Sequence, residues 1–253
     1  EKENYKEIKK RLGKNYEKTP IIPVSAQQEV NIEEILKALA ETEIPKHDLK
    51  SEPLFAVARS FDINKPGTKP KDLHGAVLGG TLKRGILKVG DEIELKPGRK
   101  LKEGESIKYI PTKTKILSLF RGSEKVEQLT PGGSASIETG LDMFLGKADS
   151  LAGNVVSISG KLPSPILKLK LKYWLFQEVF GISGHNKVED LKKGEVLMLS
   201  INTSITGGSI GNLSKDIAEL DLKVPVVVFP GDNVGIARNI KGHWRLIGYG
   251  EVC

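Results

Sequence analysis

The chain has little that would cross-link it or hold a metal. Among 253 residues there is one cysteine, Cys253 at the last position, and four histidines scattered at 47, 74, 185 and 243. An internal disulfide and a cysteine-based zinc site are therefore excluded, and the usage suits a reducing compartment. No metal site is expected. Long apolar runs are lacking as well. Runs such as VPVVVF at residues 224–229 fall far below the ~18 residues of a membrane span, so a cytoplasmic chain with no membrane partner is expected. No apolar signal segment follows the first residue, Glu1, and the expectation is a processed chain or a piece of a longer one.

Charge is what the chain has in quantity. Lys and Arg total 39 against 32 for Asp and Glu, net +7 with a pI near 9.2, a surplus that favours anionic partners and makes nucleic acid a candidate. Prolines punctuate the chain near Pro45 and again in LPSP at residues 162–165. Residues 1–45 carry −1, residues 46–160 carry +5 and residues 161–253 carry +3, so the surplus lies in the last two parts.

Residues 1–45 read as helix, strand, helix. Tyr5, Ile8 and Leu12 repeat at helical spacing up to Gly13, and Ile21, Ile22 and Val24 suit a short buried strand. A second helix is expected from Asn31 as N-cap, with Glu34 completing a capping box and Ile32, Ile35, Leu36 and Leu39 as its apolar face. One strand flanked by two helices has no sheet to join, so this part reads as a remnant of an α/β domain.

From Leu54 the pattern turns to short alternating strands between Gly, Pro and Asp. Seven are expected up to residue 159: LFAVARSF, GAVLGGTL, DEIELK, SIKYI, TKTKILSLF, SASIE and GNVVSIS, enough for a small closed barrel. After LPSP, ILKLKLKYW, EVLMLSINTS, AELDLKVPVVVF, NVGIAR and WRLIGYGEV predict a second barrel, with a helical turn at FQEVFG. The fold class is mainly β: two consecutive barrels, residues 46–162 and 163–253, behind an α/β remnant at residues 1–45.

Several motifs carry more than fold. PVSA at residues 23–26 ends a strand and precedes an N-capped helix, a turn that presents free backbone N–H groups. HGAVLGGTLKRGILKVGDEIELKPG at residues 74–98 is the most specific stretch, although every residue in it also suits a well-made hairpin region. Taken with PGDNVGIAR (residues 230–238) and HWRLIGYGEV (residues 243–252), they resemble the translational GTPases, in which an SA motif closes the guanine pocket and two barrels follow. RSFDINKPGT at residues 59–68, LTPGGSASIETGLD, KADSLAGNVVS and GHWRLIGYGEV narrow the resemblance, over essentially the whole chain, to the gamma subunits of archaeal and eukaryotic translation initiation factor 2. The same GTPase-plus-barrels design serves elongation factors that deliver aminoacyl-tRNA and a relative that activates sulfate; the longer RSFDINKPGT loop argues for the initiation branch.

That resemblance implies a subunit that, with GTP and Mg²⁺, delivers methionylated initiator tRNA to the small ribosomal subunit, held in a heterotrimer with alpha and beta subunits. Ser25 and Ala26 would meet the guanine. The chain contains no GxxxxGK[ST] phosphate loop and no NKxD guanine reader, so it carries no catalytic residue and is expected neither to hold a nucleotide by itself nor to hydrolyse GTP. By position, the tRNA end would meet Arg59, Ser60, Phe61, Gly79 and Ser134. Lys83, Arg84, Lys113, Lys115 and Arg121 are candidates for phosphate contacts, and His243, Trp244 and Arg245 for stacking on RNA. The alpha subunit would dock on the loop of Asp62, Asn64, Lys65, Pro66, Gly67 and Thr68 and on a basic turn at residues 96–102 containing Lys96 and Arg99.

Overall fold

The computed structural model describes Lys6 and residues 20–44, 46–104, 106–179 and 186–253. The chain divides into two compact units, Glu1–Lys46 and His47–Cys253. The first predicted helix, at residues 5–13, lies outside the described residues.

In the first unit the helix from residue 32 is present as α1 (Ile32–Ala40), with Asn31 at its N-cap. The capping box is not. Asn31 adopts a left-handed φ of 59°, makes no side-chain cap, and donates its amide to the Pro23 carbonyl at 2.8 Å. Residues 21–24 form no strand. Their neighbourhood holds only a bridge between Ser25 and Val30 around a short 3-10 turn, Ala26–Gln28, because a strand needs a neighbour to pair with and none lies alongside among the described residues. No residue of α1 is buried, and Leu36 and Leu39 are exposed.

The second unit holds both barrels. The first is built from β1 (Leu54–Phe61), β2 (Val77–Arg84), β3 (Leu87–Lys88), β4 (Glu92–Glu103), β5 (Ser106–Arg121), β6 (Glu124–Val126), β7 (Gln128–Leu129), β8 (Ala135–Thr139) and β9 (Val155–Ile158). The sheet runs β4-β9-β1-β2-β8-β5 and closes by pairing β4 with β5, leaving β6 as a flap on β5 and β3 with β7 as a separate small sheet. Inward residues of period two fill it, among them Phe55, Val57, Leu78, Ile93, Leu95, Ile116, Leu119 and Ile137. The second barrel is a closed ring of β10 (Ile166–Leu175), β13 (Ile217–Val226), β12 (Ser204–Leu213), β11 (Val196–Ile201), β14 (Asn233–Ile240) and β15 (His243–Val252), packed around Leu169, Leu199, Leu220, Ile236 and Ile247. The described part of FQEVFG is irregular chain rather than a helical turn.

Two sequence expectations change at the β4–β5 closure. SIKYI and TKTKILSLF are one sixteen-residue strand, and the expected basic turn at residues 96–102 is the continuing β4. Only Ile93 to Lys96 pair with β9, and only Ile116 to Arg121 pair with β8. From Arg99 to Glu103 the strand pairs solely with residues 106–110 of β5, so a two-stranded ribbon leaves the barrel. A bulge between Leu95 and Arg99 turns the strand there. Gly98 sits in it with φ of +101°, its N–H donating to the buried Asn154 Oδ1 at 2.7 Å.

The barrels meet through a small core of Leu54, Val155, Leu162 and Val227, with Phe229 packed against it. Leu162 is pinned on both sides: its N–H donates to Glu94 Oε1 at 3.0 Å and its carbonyl accepts from Lys96 Nζ at 2.7 Å. Lys83 reaches Asn202 of the β11–β12 turn, and the Arg84 guanidinium stacks 4.5 Å over the Phe229 ring.

A methyl group at Gly98 would fall 1.8 Å from the Ile110 carbonyl oxygen, at a φ that L residues rarely adopt. Gly98→Ala should therefore cost at least about 2 kcal/mol by urea unfolding. Gly104→Ala, where nothing lies within 4 Å, should cost less than half as much despite its own positive φ.

Candidate functional site

The outer surface of β1, β2, β8 and β5 carries one lateral row: Arg59 pairs with Gly79, Gly79 with Ser136, and Ser136 with Phe120. Its centre is open because Gly79 has no side chain. A Cβ there would touch Phe61 Cε2 at 3.1 Å, so the Phe61 ring lies along the strand as a half-exposed shelf. The Arg59 guanidinium sits 5.4 Å from that ring, within cation–π range.

Arg59 is aimed by Asp149. Its Nε lies 2.9 and 3.0 Å from the two carboxylate oxygens, and Oδ1 also accepts the Ser60 N–H at 3.0 Å. Ser60 points inward, and its hydroxyl accepts the Leu151 N–H at 3.1 Å. These bonds strap the segment Met143–Asp149 across the end of β1. The strap is held against strain: Ala148 and Asp149 both take left-handed φ, 51° and 54°, at ~1 kcal/mol or more each for non-glycine residues. The Arg59 guanidinium, followed by the Ser60 N–H, holds the Asp149 carboxyl below the ordinary aspartate range. The two terminal nitrogens of Arg59 make no hydrogen bond to a described residue, which leaves a forked, pre-aimed donor pair for a phosphate or carboxylate.

Beside this cluster the loop after β1 is knotted around Asn64. Its amide nitrogen donates to Asp62 Oδ1 and to the His74 carbonyl, both at 2.8 Å, and its oxygen accepts the His74 N–H at 2.8 Å. Thr68 closes the tip onto the Lys65 carbonyl at 2.7 Å. Asp62, Asn64 and Thr68 therefore hold the loop from within, while Lys65, Pro66 and Gly67 form its exposed tip. His74 Nδ1 lies 2.7 Å from Glu138 Oε1, and Ser118 bonds the other Glu138 oxygen. A groove of about 330 Å³ runs past His74, lined by Leu73, Leu117, Leu141 and Met143.

Several residues named from sequence are used otherwise. Lys83 and Arg84 contact residues at the junction between the barrels, Lys83 by one hydrogen bond to Asn202 and Arg84 over the Phe229 ring. Arg121 is spent on the PGG turn, donating to the Thr130 carbonyl at 2.7 Å and to that of Gly132. Lys96 is half-buried, 3.4 Å from Glu94, and bonded to Leu162, so it faces the barrel rather than a docking surface. Ser134 is exposed in the turn before β8, whereas Ser136 is the residue in register with Gly79. Trp244, named for stacking on RNA, is exposed on β15. Asp149 and Ser136 were missed, because nothing in the residues around KAD or SAS marks which partner the barrel brings opposite.

Residues 167–252 match the family model described as Initiation factor eIF2 gamma, C terminal. Among curated proteins, the chain is similar to translation initiation factor 2 subunit gamma of Methanocaldococcus jannaschii, 46% identical over 252 residues. It is 47% identical to that of Pyrococcus furiosus and 43% identical to that of Aeropyrum pernix. Each alignment covers 99% of this chain and 61% of the relative, so the chain spans about three-fifths of the length of the curated relatives it matches.

Because the folded-state value of Asp149 is depressed, its pairing adds stability above the ordinary aspartate range and loses it as the pH falls through the folded value. Carbonyl-detected NMR should find Asp149 titrating below a peptide aspartate, and Arg59→Ala should raise its midpoint. An unmoved midpoint would show that the Ser60 N–H alone holds the carboxylate.

Proposed function

Since the chain belongs to the gamma-subunit family of translation initiation factor 2, we propose that it serves as the barrel part of a cytoplasmic factor that carries methionylated initiator tRNA to the small ribosomal subunit. The relatives favour this over the elongation-factor and sulfate-activating alternatives. The observation that carries the reading is the Arg59–Phe61–Gly79 cluster: a forked cation with two open nitrogens beside an exposed ring over a bare glycine. A 3′-terminal adenosine and its esterified amino acid offer a π-face for that ring and a nearby phosphate for that fork. Ser60 positions both through Asp149 and Leu151, and Ser136 takes the place first given to Ser134.

In the same proposal the alpha subunit docks on the loop tip Lys65, Pro66 and Gly67, kept in shape by Asp62, Asn64 and Thr68. Lys96 leaves that list, since its ammonium is engaged, and Arg99 belongs to the ribbon. The beta subunit is assigned to the unit Glu1–Lys46. GTP with Mg²⁺ belongs to the longer family protein. Of the groups such a nucleotide needs, the described residues offer one edge of the base site: the Ser25 hydroxyl makes no capping bond and stands beside Ala26 at the start of the short turn, where the pair would meet the guanine edge, while the NKxD reader has no counterpart in this sequence. The phosphate loop has no counterpart in this sequence, and no hydrolytic step is assigned to this chain.

In filter binding, Arg59→Ala should weaken binding of methionylated initiator tRNA about tenfold, equal to ~1.4 kcal/mol, with thermal unfolding little changed. Undiminished binding would remove the cluster from the tRNA site. Replacing Lys65, Pro66 and Gly67 by Ser-Gly-Ser should weaken alpha-subunit binding by a similar factor at unchanged stability. Asn64→Ala, which leaves the His74 N–H without its partner, should lower binding and also stability by ~1–2 kcal/mol; alpha-subunit binding that ignores both changes would place the contact elsewhere.

A further inference from the structure

We propose that the outer face of the β4–β5 ribbon is an RNA-backbone track, made by Lys100, Lys102, Lys113 and Lys115. On β5, alternate residues share a face, so Ile107, Tyr109, Pro111, Lys113 and Lys115 line one side. Lys100 and Lys102 join that side through their pairing with Tyr109 and Ile107. All four lysines are exposed, and among the described residues none makes an ion pair. Among the described residues, two acids face this stripe across the ribbon. Glu94, opposite Lys113, is buried and occupied by Lys96 and the Leu162 N–H. Glu92, opposite Lys115, is exposed but forms no bridge to it. On the other face Lys108 is neutralised by Glu103 at 2.5 Å.

The second barrel supplies an internal contrast. Lys168, Lys170 and Lys172 alternate along β10 in the same way, yet Lys168 and Lys170 face Asp221 and Glu219, and Lys170 and Lys172 lie 3.7 and 3.8 Å from Glu219 and Asp216. An ordinary solvated strand face carries such matching acids. On the ribbon stripe, Lys100 and Lys102 face Tyr109 and Ile107, Lys113 faces an acid already engaged, and only Lys115 faces an unengaged one; the cations recur about 7 Å apart in pairs, an arrangement suited to successive phosphates rather than to one carboxylate. It also continues toward the Arg59 cluster: Gly140, at the end of β8, donates to the Lys115 carbonyl at 3.1 Å. In the adjoining row Glu138 pairs with Val77, which pairs with Phe61. One RNA could therefore run from the ribbon to the Phe61 shelf. The inference rests on the reading of RNA as partner, and it assigns to the ribbon the affinity that does not depend on the aminoacyl group.

The test is fluorescence anisotropy of the 253-residue chain with a fluorescein-labelled RNA hairpin of 24 nucleotides carrying no amino acid, from 50 to 300 mM KCl. Four phosphate contacts should contribute ~3 to the slope of log K against log salt. Replacing the four lysines by alanine should flatten the slope by about that amount and weaken binding at least tenfold at 50 mM. Replacing them by arginine should preserve both. Alanine at Lys168, Lys170 and Lys172 should change neither. Wild-type slope and affinity in the quadruple alanine variant would overturn the track, and so would competition by polyglutamate as effective as by unlabelled RNA, which would mark an acidic protein as partner. Arg59→Ala separates the two readings: loss there with none from the ribbon variants overturns this inference and leaves the tRNA-end site standing. Loss from the ribbon variants alone supports the track, and the tRNA-end site is then judged by filter binding of methionylated initiator tRNA to Arg59→Ala.

Discussion

A β-sheet with a free edge exposes unpaired N–H and C=O groups, and the first barrel removes its edges by pairing β4 with β5. That pairing settles much of what surrounds it. β4 stays beside residues 106–115 of β5 from one end to the other, while its other neighbour, β9, covers only Ile93 to Lys96, and β8 takes β5 only from Ile116 onward. The excess leaves the barrel as a ribbon, and the bulge at Gly98 is where the barrel wall and the ribbon part. On its other side β5 pairs with β8, completing the row in which Arg59, Gly79, Ser136 and Phe120 lie across four strands.

Burial divides the chain's many cations into two groups. Several of those near low-dielectric surroundings are matched, as desolvation favours. Lys96 has Glu94 and a carbonyl. On the second barrel Arg238 has Glu195 at 2.5 Å and the carbonyls of Glu189 and Asp190. Arg121 ties a turn and Arg84 covers Phe229. Among the exposed cations that form no ion pair with a described residue are the four ribbon lysines.

Alternating apolar residues, glycine and proline spacing, and the helix signal from residue 31 were enough to read two barrels, because strand periodicity and turn chemistry are local properties. They were not enough for residues 21–24. An apolar triplet is a strand only if another strand lies beside it, and sequence does not carry that information. Likewise KPGRKLK has the glycine, proline and charge of a turn, yet it is the bulged middle of a strand held by β5, whose pairing lies in residues 106–115.

The candidate site divides along the same line. The chain order by itself determined that Arg59, Ser60 and Phe61 sit at the end of a strand and that Gly79 lies in a glycine-rich one, since these follow from residue type and spacing. Only the tertiary structure decided that Asp149, ninety residues away from Arg59 in the chain, would aim the guanidinium. It also decided that Ser136 rather than Ser134 would stand in register, and that Lys83, Arg84 and Lys96 would be consumed by the junction. A side chain's type sets which bonds it can make. Which of them it makes depends on the register and closure of strands far apart in sequence, and these are set by packing of the whole barrel.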